Sequence, residues 1–568
     1  MFRSRRLAAF AICLLLAVAH PWPLALAPGR YSLNHNADAE LNAWILAWVA
    51  HQLPRDPRHL FDANIFYPAP DALAFSEPLI VPALMGAPLA WAGASPVLVY
   101  NLVLILGFAL TAFAACLVIE AWSGSLAAGL LAGSALAFNT HTLTRLPHIQ
   151  GIHIYGLALA LLALDRVIRG GSYRAALLLA ASLALVAYTS GYLVVFTAVA
   201  IAIALAARAA EWVTHARTVA PRLAAAAFVA ALVVAPIYVP YQRAARDQGM
   251  VRSLDAVTEF SATPSGYLAT AGRLHHAVWS NRFFHDPVNA FFPGLTVLLL
   301  AGAAIVMAWS RRPPSPLRGF GETSPTSPPR GFGETSPASP LRGFGDLSVL
   351  RSRIVMLIAI GAAGFILSLG TASPVYGWLF HVFPPMQGLR AAARFGNLFL
   401  LAAALLAGLG LALWRPRTVV AAALVAAVNI EALSAPIEYT TFNGIPGIYR
   451  LLAEEPGRVV VAEQPFYPRS GIFQNARYVL ASTAHWRPLM NGYSGYTPAS
   501  YQRYADSFWY FPQDWAIAAM KDAGVTHVVV HTAAFARDNM DVVPLLDQRS
   551  DMELLAIGTN GVRLYRMR

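Results

Sequence analysis

The sequence predicts an α-helical polytopic membrane protein with about 11 to 12 transmembrane helices and a small C-terminal α/β domain. Hydrophobic residues make up 57% of its 568 positions, charged residues make up only 12%, and the mean hydropathy is +0.52. A soluble core has no room for that much apolar surface. Near residue 441 the long apolar runs give way to strand and helix patterns. We therefore expect a transmembrane part over 1–440 and an extracytoplasmic α/β domain over 441–568.

Charge and cysteine usage exclude several other classes of protein. The net charge of +12 comes almost wholly from arginine, because Lys521 is the only lysine. In a membrane protein such an excess indicates topology, and we expect no nucleic-acid partner. Cys13 and Cys116 both lie in apolar segments, so neither a disulfide framework nor a thiolate metal site is expected.

The first candidate span lies at the start, where "MFRSRR" precedes an apolar stretch. This pattern fits a signal anchor or a cleaved signal peptide, and we expect an uncleaved first span. A span needs about 20 apolar residues. Further candidate segments lie near 98–119, 124–139, 150–167, 174–189, 191–208, 222–239, 291–309, 353–370, 393–414 and 417–434.

Short loops rich in arginine indicate which ends of the spans face the cytoplasm. Such loops lie near residues 166–174, 208–222, 311–312 and 415–417. These loops face the cytoplasm if the short, proline-containing segment 78–93 does not cross the bilayer. We therefore expect segment 78–93 to be re-entrant, or a neighbouring hairpin to compensate for its crossing. This orientation puts the following segments on the outer face: 28–97, 140–149, 240–290, 371–392 and 435–568.

Residues 311–350 form a repeat of low complexity. RGFG recurs at a spacing of 12, beginning at Arg318, Arg330 and Arg342. Proline, glycine and serine at this density cannot bury a core, so we expect a disordered cytoplasmic insert without chemistry.

The tail contains a strand, a helix and a second strand in that order. "GRVVVAEQPF" and "VTHVVVH" are typical of buried strands, and "QDWAIAAMKDAG" between them predicts a helix that ends at Gly524. This order favours a small α/β domain.

Two carboxylates, Asp38 and Glu40, stand in the first outer loop, residues 28–77. Apolar residues follow them at i, i+3, i+4 and i+7 on one helix face: Leu41, Trp44, Ile45 and Trp48. We expect an interfacial helix with tryptophans at headgroup level and its N-terminal acids at the membrane surface. With Asn36 as N-cap, a purely structural role is equally open, because acids in the first turn stabilise the helix dipole.

Two other outer segments are candidate walls of a binding cleft. In "DPRHLFDANIFYPAPDALAFSEPL", residues 56–79, Glu77 is either a cleft residue or part of a plain loop. In "NTHTLTRLPHIQGIHIY", Arg145 and His148 stand at the outer end of two spans. The histidines of this segment are 7 and 5 residues apart, which matches no compact helical metal pair. We expect contact with a polar headgroup or a phosphate.

Arg390 and Arg394 in "MQGLRAAARFGNLF" lie four residues apart and would share one face of a helix. The predicted orientation puts them on the outer side, where arginine is unusual. Paired guanidiniums there suit either bidentate binding of a phosphate or ordinary anchoring to lipid headgroups. In the tail, Tyr493 belongs to the aromatic stretch 482–504, which suits either a polar ligand or packing onto the membrane part.

This arrangement resembles the C superfamily of glycosyltransferases, which includes the protein O-mannosyltransferases and the lipid A aminoarabinose transferases. The resemblance covers nearly the whole chain except 311–350. More narrowly, "DAELNAWILAWVAHQL", "LFDANIFYP", "RLPHIQ", "RAAARF" and "HWRPLMNGYSGY" look like bacterial membrane proteins described as glycosyltransferase-like. The chain departs from the family pattern in two places: D-A-E replaces the commoner D-x-D or E-x-D, and Ser76-Glu77-Pro78-Leu79 replaces a His-Pro-Pro-Leu stretch.

The resemblance implies transfer of a sugar from a polyprenyl-phosphate donor to a lipid, glycan or protein acceptor at the periplasmic face of the bacterial inner membrane. Asp38 matches the catalytic base and Glu40 the second acid of the family motif, and a divalent cation such as Mg²⁺ or Mn²⁺ is an open addition between them. The remaining expected site residues are Arg390 and Arg394 for the donor phosphate, and His148, Arg145, Glu77 and Tyr493 for substrate.

Two other functions are compatible with this composition. A transporter or polysaccharide-export component needs charges along a path through the bilayer, but acids within spans are scarce, with Asp165 and Glu431 both near span ends. A non-catalytic, lipid-binding member of the same fold is the other alternative, since the family motif is altered at Glu40.

Overall fold

The computed structural model describes residues 2–33, 35–311 and 346–568. In these ranges the α-helices of nine residues or more are α1 (Phe2–Ala19), α2 (Ala37–Gln52), α3 (Ile80–Trp91), α4 (Pro96–Ser123), α5 (Leu126–Ala137), α6 (Tyr155–Ile168), α7 (Tyr173–Ala187), α8 (Gly191–Ala207), α9 (Ala216–Gln248), α10 (Leu295–Ser310), α11 (Leu347–Ser368), α12 (Pro374–Val382), α13 (Gly396–Trp414), α14 (Thr418–Ala432), α15 (Ala499–Phe508) and α16 (Asp514–Asp522). The strands are β1 (Tyr31–Ser32), β2 (Thr440–Thr441), β3 (Val461–Gln464), β4 (His527–His531), β5 (Met552–Ile557) and β6 (Val562–Met567). Most of the predicted insert, 311–350, falls on residues 312–345, which lie outside the described ranges.

The predicted spans correspond to helices of the structure. Five helical segments are long and apolar enough to cross a membrane: Pro96–Ser123, Ile149–Ile168, Ala209–Gln248, Leu347–Ser368 and Ala392–Trp414. Shorter apolar helices of 10–17 residues accompany them, among them α5, α7, α8, α10 and α14. The predicted fold class, a polytopic helical membrane protein with a small C-terminal sheet domain, is confirmed.

Helix α3 covers the segment 78–93, whose crossing of the bilayer the sequence left open. It has 12 residues, with Pro88 inside the helix. At 1.5 Å per residue it is about 18 Å long, whereas the hydrocarbon core of a bilayer is about 30 Å thick. Since α3 also packs against α2 and α4, its length and its contacts favour a buried helix that does not cross the membrane by itself.

Glycines bring neighbouring membrane helices close together. A Cβ atom on Gly133 would lie 2.3 Å from the carbonyl oxygen of Ala112, and one on Gly410 would lie 2.0 Å from that of Leu300. Any larger residue at these two positions would push α5 away from α4 and α13 away from α10. Between helices in lipid there is no hydrophobic driving force, so close backbone packing of this kind stabilises their association.

A buried ion cluster joins α6, α8 and α11 at their arginine-rich ends. Asp165 Oδ1 lies 2.7 Å from Arg208 Nη1, and Asp165 Oδ2 lies 2.7 Å from Arg353 Nη2. The two guanidiniums are only 1% exposed and the carboxylate 3%. Glu211 accepts a further hydrogen bond from Arg208 at 2.9 Å. Each buried charge therefore has a partner of the opposite sign.

Replacement of Asp165 by alanine is expected to destabilise the protein by about 3–5 kcal/mol, because it leaves two buried guanidiniums without their shared carboxylate. Thermal unfolding of the detergent-solubilised protein measures this loss as a lower Tm. Arg174→Ala, at an exposed position near the same end of the bundle, is the matched control. Equal Tm values for the two variants would contradict a stabilising role of the cluster.

The C-terminal sheet has the strand order β3-β4-β6-β5. β3 and β4 are parallel, while β6 is antiparallel to both β4 and β5. Helix α16 precedes β4, and Gly524 just after it has a φ of +79°, which favours glycine. The two predicted strands and the helix between them are therefore confirmed.

Helix α2 is buried rather than interfacial, so that prediction was wrong. Trp44 is 1% exposed and Trp48 is 5% exposed, and neither can lie among headgroups. α2 packs against α3 and α4 on the membrane side and against the short helix Ala476–Ala481 of the tail. The C-terminal domain covers the face that the sequence pattern assigned to lipid.

Candidate active site

Asp38 lies at the N-terminal end of α2, where three parts of the chain meet. Asn36 caps the helix as predicted, since its Oδ1 accepts a hydrogen bond from the backbone N–H of Asp38 at 2.9 Å. The Tyr493 hydroxyl donates to Asp38 Oδ1 at 2.7 Å. Asp38 Oδ2 lies 2.9 Å from Nε2 of His148. The carboxylate thus contacts the loop before α6 and the C-terminal domain at once.

The loop that carries His148 is fastened to the two helices beside it. Asn42 of α2 donates to the carbonyl oxygen of Pro147 at 2.8 Å. Tyr100 of α4 donates to the carbonyl oxygen of Leu146 at 3.0 Å. Both donors are buried, so they fix the backbone on which His148 approaches Asp38.

The environment keeps Asp38 ionised and His148 neutral. Burial would raise the pKa of Asp38, but His148, the Tyr493 hydroxyl and the charge of Arg394 hold it well below its ordinary value. Burial lowers the pKa of His148 to about 4, although Asp38 opposes that shift. Because the ionised carboxylate can only accept, its 2.9 Å contact with Nε2 assigns the hydrogen of the neutral imidazole to that nitrogen.

A cavity of about 540 Å³ opens beside Asp38. Its polar lining includes Asp38, Glu77, His148, Arg390 and Arg394. Its apolar lining comes largely from α8 and α9 and includes Val194, Val195, Val234, Ile237 and Tyr238. Val194 is 39% exposed and Tyr238 is 54% exposed, so the apolar wall continues onto the outer surface of the helix bundle.

Arg390 and Arg394 line this cavity, but they do not share a helix face as predicted. Arg390 lies in an irregular segment and Arg394 in the 3₁₀ turn Ala392–Phe395. The Arg390 guanidinium lies 5.0 Å from the ring centre of Phe260. That of Arg394 lies 4.6 Å from the ring centre of Tyr192. Neither forms an ion pair with a carboxylate in the part of the chain that the structure describes.

Arg145 adds a third guanidinium behind His148. Its Nη2 lies 3.1 Å from Nε2 of His148, and it lines a smaller adjacent cavity of about 30 Å³ together with Arg394. Burial and the charge of Arg394 lower the pKa of Arg145 to about 10, so it stays charged at neutral pH. The two cavities together are lined by the carboxylates of Asp38 and Glu77 and by four guanidiniums, those of Arg145, Arg252, Arg390 and Arg394. This positive excess favours an anionic ligand.

Glu77 lines the larger cavity and also caps α8. Its Oε2 accepts the backbone N–H of Gly191 at 2.6 Å, where the positive end of the helix dipole favours a carboxylate. Burial raises the pKa of Glu77, against the effects of Ser190 and the charge of Arg394. Its capping contact gives Glu77 a structural role, whether or not it also meets a substrate.

No known protein-family signature matches the chain, and no curated protein sequence matches it. Several solved structures, however, match the chain. The cryo-EM structure of the arabinofuranosyltransferase AftD from Mycobacteria aligns with 100% of this chain and 40% of AftD, at a TM-score of 0.59 and 16% identity. A variant of AftD gives a TM-score of 0.56 and 18% identity. ArnT from Cupriavidus metallidurans bound to undecaprenyl phosphate aligns with a TM-score of 0.40 and 13% identity, which does not establish a shared fold.

The chain therefore has the fold of the matching part of AftD. The predicted resemblance is thereby confirmed for the fold, while the chain spans about two fifths of the length of AftD. The cavity beside Asp38 lies mainly in the helical part of this fold, and Gly495 of the tail also lines it.

The second acid, Glu40, does not line the cavity. On a helix, residues i and i+2 point to different sides, and Glu40 accordingly points away from the cavity, near enough to Arg477 of the tail for their charges to interact. Burial raises the pKa of Glu40 to about 7, and the charge of Arg477 opposes this shift. The D-A-E motif of this chain therefore separates its two carboxylates.

The described residues do not fit a divalent cation between Asp38 and Glu40. They contain no group of three or more potential ligands from histidine, cysteine, aspartate and glutamate. Both oxygens of Asp38 already have hydrogen-bonding partners in Tyr493 and His148. The nearby guanidiniums also disfavour a second cation at this position.

Sequence reasoning missed two residues that shape the cavity. Arg252 lines it and donates to the carbonyl oxygen of Gly495. The Tyr192 hydroxyl accepts the backbone N–H of Arg390 at 3.1 Å and that of Ala391 at 3.2 Å. Arg252 belongs to an outer segment that had been predicted, and an arginine on the outer side was the signal that could have identified it. Tyr192 carried no local signal, because its partners are about 200 residues away.

Proposed function

We propose that the protein transfers a sugar from a polyprenyl-phosphate donor to a hydroxyl group of a lipid, glycan or protein acceptor. One observation carries this proposal: an ionised carboxylate and two guanidiniums that pair with no carboxylate among the described residues line one cavity whose apolar wall reaches the outer surface of the bundle. The apolar wall suits the polyprenyl chain, Arg390 and Arg394 suit the phosphate, and Asp38 suits the hydroxyl.

The proposed reaction is a substitution at the anomeric carbon. The acceptor oxygen forms a bond to that carbon, and the bond from the carbon to the phosphate oxygen breaks. Asp38 accepts the proton of the acceptor hydroxyl and later releases it to water. The bonding electrons leave with the phosphate. An acid to protonate the leaving oxygen is not required, because a phosphate anion is a stable leaving group.

Charge explains why four guanidiniums outnumber two carboxylates here. The donor is a phosphodiester with one negative charge, whereas the departing polyprenyl phosphate is a monoester that carries up to two. Negative charge therefore grows on the phosphate as the reaction proceeds. Fixed positive charge in a partly buried site stabilises that growing charge more than the starting state, which lowers the barrier.

We place the cavity on the outer face of the bacterial inner membrane. Tyr155 at the N-terminal end of α6 and Asp165 near its C-terminal end are about 15 Å apart at 1.5 Å per residue, and His148 lies before Tyr155. The arginine-rich loops after α6 and α8 lie at the Asp165 end. The positive-inside rule assigns that end to the cytoplasm and the cavity to the periplasm.

The test is a transfer assay with the full chain in nanodiscs. Arabinose is the first sugar to try, because AftD is named an arabinofuranosyltransferase. Radiolabelled polyprenyl-phosphoryl arabinose, and in parallel the aminoarabinose and mannose donors, are incubated with membranes that lack the chain as the source of acceptors. We expect labelled product only when the chain is present. No chain-dependent product with any of the three donors would count against the proposal.

Transfer is expected to persist in EDTA, with a rate within about twofold of the rate in added Mg²⁺ or Mn²⁺, because arginine side chains and not a metal ion neutralise the phosphate. The measurement is the initial rate after dialysis against chelator. A loss of activity that added Mn²⁺ restores would show that a cation takes part after all.

A further inference from the structure

The tail is joined to the first outer loop by its backbone. Phe66 donates its N–H to the carbonyl oxygen of Asn491 at 3.1 Å, and Tyr67 donates to that of Leu489 at 3.0 Å. Leu489 in turn donates to the carbonyl oxygen of Asn64 at 2.7 Å. Residues 64–67 and 489–491 therefore form one hydrogen-bonded unit. Tyr493 stands two residues after the second of these segments.

The loop that follows, residues 491–496, has the sequence NGYSGY and is held on both sides. A Cβ atom on Gly492 would lie 2.4 Å from the ring of Phe66, and one on Gly495 would lie 2.9 Å from the carbonyl oxygen of Phe75. Only glycine fits at such distances. On the other side, the Tyr496 hydroxyl donates to the carbonyl oxygen of Gln248 at the end of α9, at 2.6 Å.

The same loop is anchored to the C-terminal sheet through a buried amide. Asn491 Oδ1 accepts the backbone N–H of Glu463 in β3 at 2.7 Å. Asn491 Nδ2 donates to the carbonyl oxygen of Glu463 at 3.0 Å. Asn491 is fully buried, so the position of the loop follows the position of the sheet.

This loop holds the hydroxyl of Tyr493 in position. Burial and the charge of Asp38 raise the pKa of Tyr493 above its ordinary value, so the hydroxyl stays protonated and can only donate to the carboxylate. Asp38 Oδ1 receives this hydrogen bond, and Oδ2 faces His148. A carboxylate offers about four lone-pair sites. The two donors occupy one site on each oxygen and leave the others for a substrate hydroxyl.

We propose that Tyr493 is a positioning residue, through which the C-terminal domain fixes the orientation of the Asp38 carboxylate for the transfer proposed above. This inference rests on the proposed function. It gives the tail domain a defined part in the reaction, which is to hold the base and not to contact the sugar. It also explains why Gly492 and Gly495 flank the tyrosine, because the loop has to pass close to the first outer loop to reach Asp38.

The test compares Tyr493→Phe with Tyr496→Phe. Both remove one hydroxyl from the same loop, but only the first removes a hydrogen bond to Asp38. For Tyr493→Phe we expect kcat to fall roughly 10- to 100-fold with little change in the donor KM, because the carboxylate is no longer held in the orientation that accepts the proton, while the contacts to the donor phosphate are unchanged. Tyr496→Phe removes only one of several anchors of the loop and no contact to Asp38, so its kcat should fall much less than that of Tyr493→Phe.

The pH profile separates positioning from loop packing. The Tyr493 hydroxyl stabilises the ionised form of Asp38, so its removal raises the pKa of Asp38 and moves the acid limb of the kcat profile toward higher pH. Tyr496→Phe should leave that limb in place. An equal fall in kcat for both variants, or an unmoved acid limb in Tyr493→Phe, would overturn the proposal.

Failure of this inference is distinguishable from failure of the proposed function. The Tm values of Tyr493→Phe, Asp38→Ala and the double variant test the contact without any activity assay, because alanine at position 38 cannot accept the hydrogen bond. We expect the double variant to lose less Tm than the sum of the single losses. Additive losses would overturn the positioning contact even if transfer is observed. Non-additive losses without any transfer would leave the contact in place and refute only the proposed reaction.

Discussion

Asp38→Asn is expected to lower kcat for sugar transfer by about 10²- to 10⁴-fold, the range that a general base contributes. Asparagine has nearly the same size and its side-chain oxygen can still accept the Tyr493 hydrogen bond, so the loop that holds Asp38 should remain in place. It cannot take a proton from the acceptor. The measurement is single-turnover transfer in nanodiscs, alongside binding of undecaprenyl phosphate by native mass spectrometry.

The matched control for this variant is Asp56→Asn. Asp56 belongs to the same outer loop, is paired with His59 at 2.7 Å, and its side chain is 48% exposed. Its replacement should leave both transfer and lipid binding close to wild type. Retained transfer in Asp38→Asn with normal lipid binding would remove Asp38 as the base. A loss of lipid binding in the same variant would assign Asp38 to the phosphate and not to the hydroxyl.

Local patterns were enough to predict the strand, helix and strand β3, α16 and β4 of the tail, though not β5 and β6, and the helical nature of the spans. The strands β3 and β4 are short apolar runs bounded by turn residues, and α16 ends at a glycine. Hydropathy identified the membrane helices because each must satisfy its backbone hydrogen bonds within itself. Such signals depend on neighbours within a few residues, and a sequence displays them directly.

Burial of α2 depended on a partner far along the chain. The pattern of Trp44 and Trp48 shows an apolar face, but not what covers it. Trp48 lies 5.9 Å, centre to centre, from the ring of Trp486 in the tail, more than 400 residues away. A lipid headgroup layer and a protein domain both cover an apolar helix face, and only the tertiary structure distinguishes them.

The separation of the two acids could have been predicted from the sequence. Once Asn36 is taken as the N-cap, Asp38 and Glu40 fall two residues apart on a helix and cannot point to one ligand. The family resemblance grouped the two acids because a sequence motif gives the order of the residues and not the direction of their side chains. The converse holds for Arg390 and Arg394, whose spacing was read as a helix face although two prolines precede them. They still meet at one cavity, because the 3₁₀ turn and the contact of Tyr192 with Arg390 bring them there.

Arg394→Gln is expected to raise the donor KM and lower kcat, with a combined loss in kcat/KM of roughly 100-fold or more, because the guanidinium contacts an anion whose charge grows during the reaction. Arg394 is the critical residue for this prediction, since it lines both cavities and its charge also contributes to the low pKa of Asp38. Loss of its charge therefore also moves the acid limb of the kcat profile toward higher pH.

Arg394→Lys separates a bidentate contact from simple charge. Lysine keeps the positive charge but not the planar pair of donors, so we expect a recovery of only part of the activity lost in the glutamine variant. Arg273→Gln, at an exposed position in the segment 240–290 that is predicted to face outward, is the control for ordinary anchoring to lipid headgroups. Native mass spectrometry with undecaprenyl phosphate and phosphatidylglycerol then decides between the two roles. If Arg394→Gln weakens binding of both lipids equally, as a headgroup anchor would, the arginine is not a donor-phosphate site.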